Sequence, residues 1–303
     1  MTATIAGLRQ APCPPQAPVG PAGSRPPQGP AGGRPPQGPA GSRLRLVPAG
    51  GRPPQGPAGP GTVTGSVHSW DLSTGVDGPG TRFVVFTAGC PLRCVYCHNP
   101  DTWSGRSGRR MSAAEVLVQA ARYRKFIGAA GGGLTISGGE PLLQPAFTRA
   151  ILTGAKELGL HTALDTSGYL GSRADDELLD ATDLVLLDIK SFDPAIARKV
   201  TGRGIAPTLA FARRLAARGQ VVWVRFVLVP GWTDDPGNVA ALARFTASLG
   251  NVERVDVLPF HTLGAPKYAA LGLDYPCANV TPPTAGQIAQ VRAAFTAVGL
   301  TAL

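Results

Sequence analysis

Three cysteines stand close together in the stretch "GCPLRCVYCHNP", which runs from Gly89 to Pro100. The whole chain of 303 residues has five cysteines, so this stretch holds most of its thiols. An odd number of cysteines, clustered in this way, argues against a disulfide framework and favours a metal site or a reactive thiol in a reducing compartment. The C-x3-C-x2-C spacing of Cys90, Cys94 and Cys97 is therefore the first candidate for chemistry.

This spacing does not match that of a typical structural zinc site. Structural zinc takes four Cys or His ligands, usually as two separated C-x2-C pairs, and the chain has no second pair. His98 directly follows Cys97 and is badly placed to complete the same tetrahedron. A [4Fe–4S] cluster takes one thiolate per iron, so three local thiolates would leave one iron open to a small-molecule ligand. A zinc-stabilised, non-enzymatic binding protein stays as the alternative.

The chain from about Val63 onward alternates short apolar runs with amphipathic stretches, which predicts strands and helices in turn. The predicted strands are 82–87, 134–137, 161–165, 184–189, 221–229 and 255–260. The predicted helices are 112–127, 145–158, 174–181, 207–218, 238–249 and 284–298. Six strands separated by helices indicate a parallel sheet with right-handed crossovers. We therefore predict an α/β fold, a partial (β/α)6 TIM-like barrel, over residues 62–303.

Polar groups follow five of the six predicted strands, where chemistry is found in such folds. In chain order they are Cys90, the "SGGE" stretch ending at Glu140, Asp165 with Thr166, Asp188 with Lys190, and His261. Each could by itself be a turn or a helix cap, but together they predict one active site at this edge of the sheet. Arg225 lies inside the remaining apolar strand, and a buried arginine is expected to meet an anionic ligand or an acid.

The cysteine stretch, with Tyr96 just before its third cysteine, resembles the radical S-adenosylmethionine (SAM) superfamily. Together with "DGPGTRF" upstream and "PGWTDD" downstream, it is similar to the activating enzymes of glycyl-radical enzymes such as pyruvate formate-lyase. The resemblance runs from about Gly65 to the C-terminus. It implies one [4Fe–4S] cluster held by Cys90, Cys94 and Cys97, with SAM bound at the open iron.

The chemistry implied by the resemblance is radical chemistry. One electron from the cluster cleaves SAM into methionine and a 5′-deoxyadenosyl radical, which takes a hydrogen from the Cα of one glycine in a partner enzyme. A flavodoxin- or ferredoxin-type protein is the implied electron donor. A radical SAM enzyme acting on a small molecule is the alternative within the superfamily.

The same resemblance implies roles for further residues. The expected SAM contacts are Tyr96, Cys97, His98, Gly138, Gly139, Glu140, Asp165, Asp188, Ile189, Lys190, Arg225 and His261. A monovalent cation beside SAM is expected at Asp165, Thr166 and Asp188. The glycine loop of the partner is expected at Asp77, Gly78, Pro79, Gly80 and Asn99. Further clusters are not expected, because only Cys13 and Cys277 remain.

Residues 1–61 differ in composition from the rest of the chain. They repeat "RPPQGPAG" from Arg25, Arg34 and Arg52, and they carry six arginines and no acid. Proline and glycine at this density do not build a core, so we predict a disordered low-complexity tail. The remaining residues carry 23 basic and 19 acidic side chains, so the net charge of +10 does not indicate nucleic-acid binding.

The sequence shows neither a membrane-length apolar run nor the apolar core of a secretory signal at its N-terminus. We expect a cytoplasmic monomer that has no nucleic-acid or membrane partner.

Overall fold

The computed structural model describes residues 63–303, so the predicted disordered tail, residues 1–61, lies outside the described residues. The described strands are β1 (Thr64–Thr74), β2 (Thr81–Thr87), β3 (Arg109–Ser112), β4 (Gly133–Gly138), β5 (His161–Thr166), β6 (Leu184–Asp188), β7 (Val222–Leu228) and β8 (Val252–Pro259). The helices are α1 (Ala113–Ala129), α2 (Pro145–Glu157), α3 (Asp176–Asp180), α4 (Pro194–Thr201), α5 (Ala206–Ala217), α6 (Pro236–Ser248), α7 (Ala265–Ala270) and α8 (Ala285–Thr296).

All eight strands form one sheet in the order β3-β1-β2-β4-β5-β6-β7-β8. The six strands from β2 through β4 to β8 pair in parallel. β1 runs antiparallel to both β2 and β3. The six parallel strands, each followed by loop and helical segments, confirm the predicted partial barrel. Because β3 and β8 end the strand order, the described sheet is open rather than closed.

Four described elements were absent from the sequence prediction, namely β1, β3, α4 and α7. β1 and β3 are exposed along much of their length, so they lack the apolar alternation that marks a half-buried strand. α4 and α7 have eight and six residues, which is too short to show a clear helical period. The predicted helix 174–181 begins later than expected, because the Asp175 side chain caps its N-terminus by accepting from the Leu178 amide.

The main core lies between the parallel strands and the helices that cover them. β4 and β6 are buried along nearly their whole length, which explains why both read as continuous apolar runs. The predicted last helix, 284–298, is confirmed as α8, whose Val291 and Phe295 are buried in this core. No helix in residues 63–303 is long and apolar enough to cross a membrane.

A smaller apolar cluster occupies the other face of the sheet. It consists of Ala163, Leu184, Leu186 and Trp223. Side chains alternate between the two faces of a strand, so residues two positions further along these strands share the face of the cluster. Three of those residues are charged. These residues, Asp165, Asp188 and Arg225, form a charged layer directly above an apolar floor.

Candidate active site

A cavity of about 560 Å³ opens at the C-terminal ends of the parallel strands. This is the size range of pockets that enclose a small organic ligand. It gathers most of the residues that the sequence singled out, from the cysteine loop and from five strand ends. The predicted site residues that line it are Asp77, Cys90, Cys94, Tyr96, Cys97, His98, Asn99, Gly138, Gly139, Asp165, Thr166, Asp188, Lys190, Arg225 and His261.

Five predicted site residues do not line the cavity, namely Gly78, Pro79, Gly80, Glu140 and Ile189. The side chain of Ile189 is fully buried in the main core. The three residues after Asp77 form the turn between β1 and β2. Gly80 adopts a positive φ of 64° there, and a Cβ at this position would overlap the backbone of Ala130 and Gly131.

Glu140 is fully buried, and its carboxylate is occupied by other groups of the chain. One oxygen accepts from the Thr166 hydroxyl at 2.6 Å and from the Leu142 amide. The other accepts from the hydroxyl and the amide of Ser167. The Glu140 side chain therefore ties the loop after β4 to the loop after β5, and it positions residues that line the cavity.

Gly138 lies at the end of β4, where its backbone passes close to Thr87 of β2. Its φ of 110° belongs to a region that favours glycine. A Cβ at Gly138 would overlap the backbone of Thr87. The "SGG" stretch therefore brings bare backbone to the edge of the cavity, which is what close approach to a ligand requires.

Arg225 and Asp165 form an ion pair across the floor of the cavity, from β7 to β5. Arg225 Nη1 lies 3.0 Å from Asp165 Oδ2, and both side chains are nearly buried. The Ser137 hydroxyl donates to the same carboxylate oxygen at 2.6 Å. Arg225 Nε is buried without a hydrogen-bond partner, so the guanidinium keeps a donor for a ligand.

Lys190 and Asp188 form a second ion pair, with 2.8 Å between Nζ and Oδ2. Burial disfavours the charged form of Lys190, but the Asp188 carboxylate together with the neighbouring Tyr96 and Cys94 more than offsets this, so the pKa of Lys190 is raised. Lys190 Nζ also lies 5.8 Å from the centre of the Tyr96 ring. Asp188 Oδ1 and the Tyr96 hydroxyl are both buried without a partner. Unpaired buried polar atoms at one cavity indicate that a polar ligand completes it.

The start of the cysteine loop is hydrogen bonded to the segment that follows the loop. The amides of Gly89 and Cys90 donate to the carbonyls of Thr102 and Trp103. Burial raises the pKa of the Cys90 thiol to about 12, with the nearby Glu140 carboxylate contributing. Burial likewise raises the pKa of the Cys94 thiol to about 12. Without a bound cation these thiols are neutral, and binding a metal would release their protons.

Two histidines stack at the wall of the cavity, one directly after the third cysteine and one after β8. The ring centroids of His98 and His261 are 3.8 Å apart and their planes are inclined by 31°. Burial, with the adjacent His261 ring, lowers the pKa of His98 to about 4. The two flat rings provide a surface on which another flat ring can stack.

The sequence prediction missed several residues that shape the cavity. Ser137 belongs to the "SGGE" stretch and Ser167 directly follows Thr166, but their contacts with Asp165 and Glu140 depend on the fold. Lys267 of α7 was not singled out by any motif. Its Nζ donates to Asn99 Oδ1 at 2.8 Å and lies 3.1 Å from an Asp101 oxygen. Lys267 thereby fixes the orientation of the Asn99 amide.

Residues 84–243 match the radical SAM superfamily. The pyruvate formate-lyase 1-activating enzyme of Escherichia coli K12 is 42% identical over 234 residues, which are 76% of this chain and 95% of that protein. The pyruvate formate-lyase-activating enzyme of Clostridium pasteurianum is 47% identical over 213 residues, which are 70% of this chain and 89% of that protein. This chain belongs to the pyruvate formate-lyase-activating enzyme family of the radical SAM superfamily.

Two solved structures share the fold. Streptococcus suis SuiB bound to S-adenosylmethionine aligns with a TM-score of 0.55 and 15% identity, covering 75% of this chain and 50% of that one. A radical SAM methyltransferase from Sphaerobacter thermophilus aligns with a TM-score of 0.50 and 18% identity, covering 77% and 71%. At such identities the likeness concerns the fold alone.

Membership of the family implies a [4Fe–4S] cluster and SAM, and the cavity fits both. Three thiols lie on one loop at the edge of the cavity. Thiolates are the ligands that iron–sulfur clusters take. Buried polar atoms without partners face the cavity from Tyr96, Asp188 and Arg225. Within residues 63–303 the thiols are not already drawn together as a three-ligand metal site. Sites of this kind form together with their metal.

Proposed function

We propose that this chain activates a glycyl-radical enzyme, with pyruvate formate-lyase as its partner. The observation that carries the proposal is the cavity at the strand ends. It joins three thiols to a layer of charged side chains with unused hydrogen-bonding atoms, in a member of the pyruvate formate-lyase-activating family. When bound there, the cluster and SAM would supply the one-electron cleavage that removes a hydrogen from a glycine Cα of the partner.

Cys90, Cys94 and Cys97 are the proposed ligands of the [4Fe–4S] cluster. All three line the cavity, and their loop is held by backbone hydrogen bonds to the segment that follows it. Their task is to hold the cluster and to leave one iron accessible from the cavity, since three thiolates satisfy three of the four irons.

The charged layer is proposed to bind and orient the polar parts of SAM. Lys190 offers an ammonium group for the methionine carboxylate, because a buried cation favours an anionic ligand. The backbone around Gly138 and Gly139 is expected to meet the methionine amino group, while Glu140 holds that loop in place. Arg225 has a free Nε donor beside Asp165. Tyr96, His98 and His261 are proposed to enclose the adenosine part.

A monovalent cation is proposed beside SAM at Asp165, Thr166 and Asp188. Oxygen ligands suit a hard cation. Asp188 Oδ1 is buried without a partner, so it is available for such a role. Asp165 already accepts from Ser137 and Arg225, and Thr166 donates to Glu140.

The partner's glycine loop is proposed to enter past Asp77 and Asn99, both of which line the cavity. Val76 and Leu263 are exposed apolar residues next to Asp77 and near His261, and exposed apolar side chains at a cavity are typical of a contact surface. The radical chemistry needs shielding from water, which a docked polypeptide would provide. We further propose that the chain acts as a cytoplasmic monomer reduced by a flavodoxin- or ferredoxin-type protein.

The proposal is tested by anaerobic reconstitution of the full chain with iron and sulfide, followed by reduction and addition of SAM and pyruvate formate-lyase. Electron paramagnetic resonance should then show a glycyl doublet that depends on all four components. A colourless protein that binds zinc but no iron would instead support the binding-protein alternative. Cleavage of SAM that never produces a glycyl signal would point to a small-molecule substrate.

A further inference from the structure

A basic surface covers the outer side of the cysteine loop. Cys90, Leu92 and Cys94 line the cavity, whereas the side chain of Arg93 between them is exposed. The loop is hydrogen bonded to α4, through Arg93 N to Thr201 O and Val95 N to Val200 O, both at 2.9 Å. The end of α4 and the residues after it add three more exposed cations. We call Arg93, Arg198, Lys199 and Arg203 the basic surface.

The basic surface has no acidic counterpart of its own. None of its four residues forms an ion pair with a carboxylate among residues 63–303. The loop 91–100 and the stretch 194–217 contain no Asp or Glu. By contrast, Arg214 of α5 pairs with Asp176, and Arg218, which follows α5, pairs with Asp176 and Asp180. Four cations without a carboxylate partner in the described part of the chain, on neighbouring segments, create a positive field that attracts an acidic partner.

Two of the basic side chains are bonded to the cysteine loop itself. Arg93 Nη1 donates to the carbonyls of Cys90 and Leu92, both at 2.7 Å, and Arg203 Nε donates to the carbonyl of Pro91 at 3.3 Å. Arg198 and Lys199 lie in the last turn of α4, where cations are favoured by the helix dipole, and this explains why two cations are found there. The helix dipole does not account for Arg93 or Arg203, which lie outside helices.

We propose that the basic surface is the docking site of the electron donor, and that this donor is a protein with an acidic face around its redox group. The inference rests on the proposed function, which requires one electron from outside for each turnover. The cavity itself is reserved for SAM and for the partner's glycine loop. The electron must therefore enter elsewhere, and the outer side of the cysteine loop gives the short route to the thiols.

The test compares a protein donor with a small reductant in the reconstituted full chain. Photoreduced flavodoxin and dithionite are each used to drive SAM cleavage, measured as release of 5′-deoxyadenosine. The variant is Arg198→Glu/Lys199→Glu, because neither residue lines the cavity or bonds the cysteine loop. The control is Arg122→Glu/Lys125→Glu on the exposed face of α1, which makes the same change in net charge.

We expect the α4 variant to slow the flavodoxin-driven rate by about tenfold or more at low ionic strength, because steering by charge changes association rates by that order. The dithionite-driven rate should stay within about twofold of wild type, and the α1 control should match wild type with both reductants. Added salt should slow the wild type with flavodoxin but hardly affect the variant. Arg198→Gln/Lys199→Gln, which is less demanding on the fold, should give an intermediate loss.

Three results would overturn the inference. The flavodoxin-driven rate could be unchanged in the α4 variants, or the α1 control could lose as much. An equal loss with dithionite would show instead that α4 serves the fold or the binding of the substrate enzyme. Failure of the wild type to cleave SAM even with dithionite is a different outcome, because it would refute the proposed function and the inference with it.

Discussion

Lys190 Nζ lies 2.8 Å from Asp188 Oδ2 at the end of β6, while the other oxygen of Asp188 is buried with no partner. The protein therefore holds the two side chains together but leaves one oxygen of Asp188 without a hydrogen-bond donor. Both side chains are largely buried, with 14% and 20% of their surfaces exposed. The pair could serve the scaffold alone or the bound cofactor, and these two roles predict different responses to substitution.

We predict that Lys190→Ala weakens SAM binding about 10- to 150-fold, which corresponds to the loss of one charge-assisted hydrogen bond of about 1.5–3 kcal/mol. Asp188→Asn keeps the shape of the side chain and should act in the same direction. A double-mutant cycle measures both SAM affinity and the free energy of unfolding for the single and double variants. Coupling confined to unfolding, with SAM affinity unchanged, would assign the pair to the scaffold.

Glu140→Gln is predicted to reduce stability, although Glu140 does not line the cavity. Its carboxylate accepts four hydrogen bonds, two of them from Ser167, and an amide NH2 would face a donor. The expected loss is about 1–3 kcal/mol in the free energy of unfolding, measured by denaturant titration. The matched control is Glu177→Gln, whose side chain is 78% exposed and should change stability little. Equal stability of both variants would contradict the positioning role.

Replacing any one of Cys90, Cys94 or Cys97 by Ala should abolish both the cluster and SAM cleavage, because each supplies one iron ligand. Iron content and 5′-deoxyadenosine release are the measurements. Cys277 is the control, since it is buried in an apolar cluster with Tyr96, Val229 and Phe260. Cys277→Ala should keep the iron and most of the activity. Loss of the cluster in that variant would make Cys277 a fourth ligand and remove the open iron.

A chain that begins at Val63 is predicted to fold, bind the cluster and activate its partner at close to the rate of the full chain. Residues 63–303 contain the described core and the cavity, and the Pro- and Gly-rich composition of residues 1–61 cannot add a core of its own. The measurements are thermal unfolding and the yield of glycyl radical. Insoluble or unfolded protein after truncation would show that the tail contributes to the fold.

Five of the six parallel strands could be predicted because they are short and largely buried apolar runs, such as β6 with its four buried residues before Asp188. The sixth, β8, is buried only at Val255 and Val257 and was predicted from the apolar residues that start there. The polar residues at strand ends could be predicted for the same reason, since their position follows from where each run stops. β1 escaped prediction because its outer half, from Ser69 to Thr74, is mostly exposed. Its pairing with β2 depends on backbone hydrogen bonds, which leave little trace in the side chains.

The contacts inside the site depend on distances in the fold rather than on motifs. Arg225 was expected to meet an acid or an anion, but its pairing with Asp165, 60 residues earlier, follows from the register of β5, β6 and β7. Glu140 belonged to a motif implied to bind SAM, yet its carboxylate bonds Thr166 and Ser167. Lys267 had no motif at all and reaches Asn99 across 168 residues.

The central claim is that this chain uses SAM to take one hydrogen from the Cα of a partner glycine. The most direct test uses pyruvate formate-lyase produced with α-deuterated glycine, incubated with the reduced, reconstituted chain and SAM. Mass spectrometry of the 5′-deoxyadenosine should show one deuterium for each glycyl radical counted by electron paramagnetic resonance. Unlabelled 5′-deoxyadenosine alongside a glycyl signal, or release of 5′-deoxyadenosine without any signal, would contradict the account.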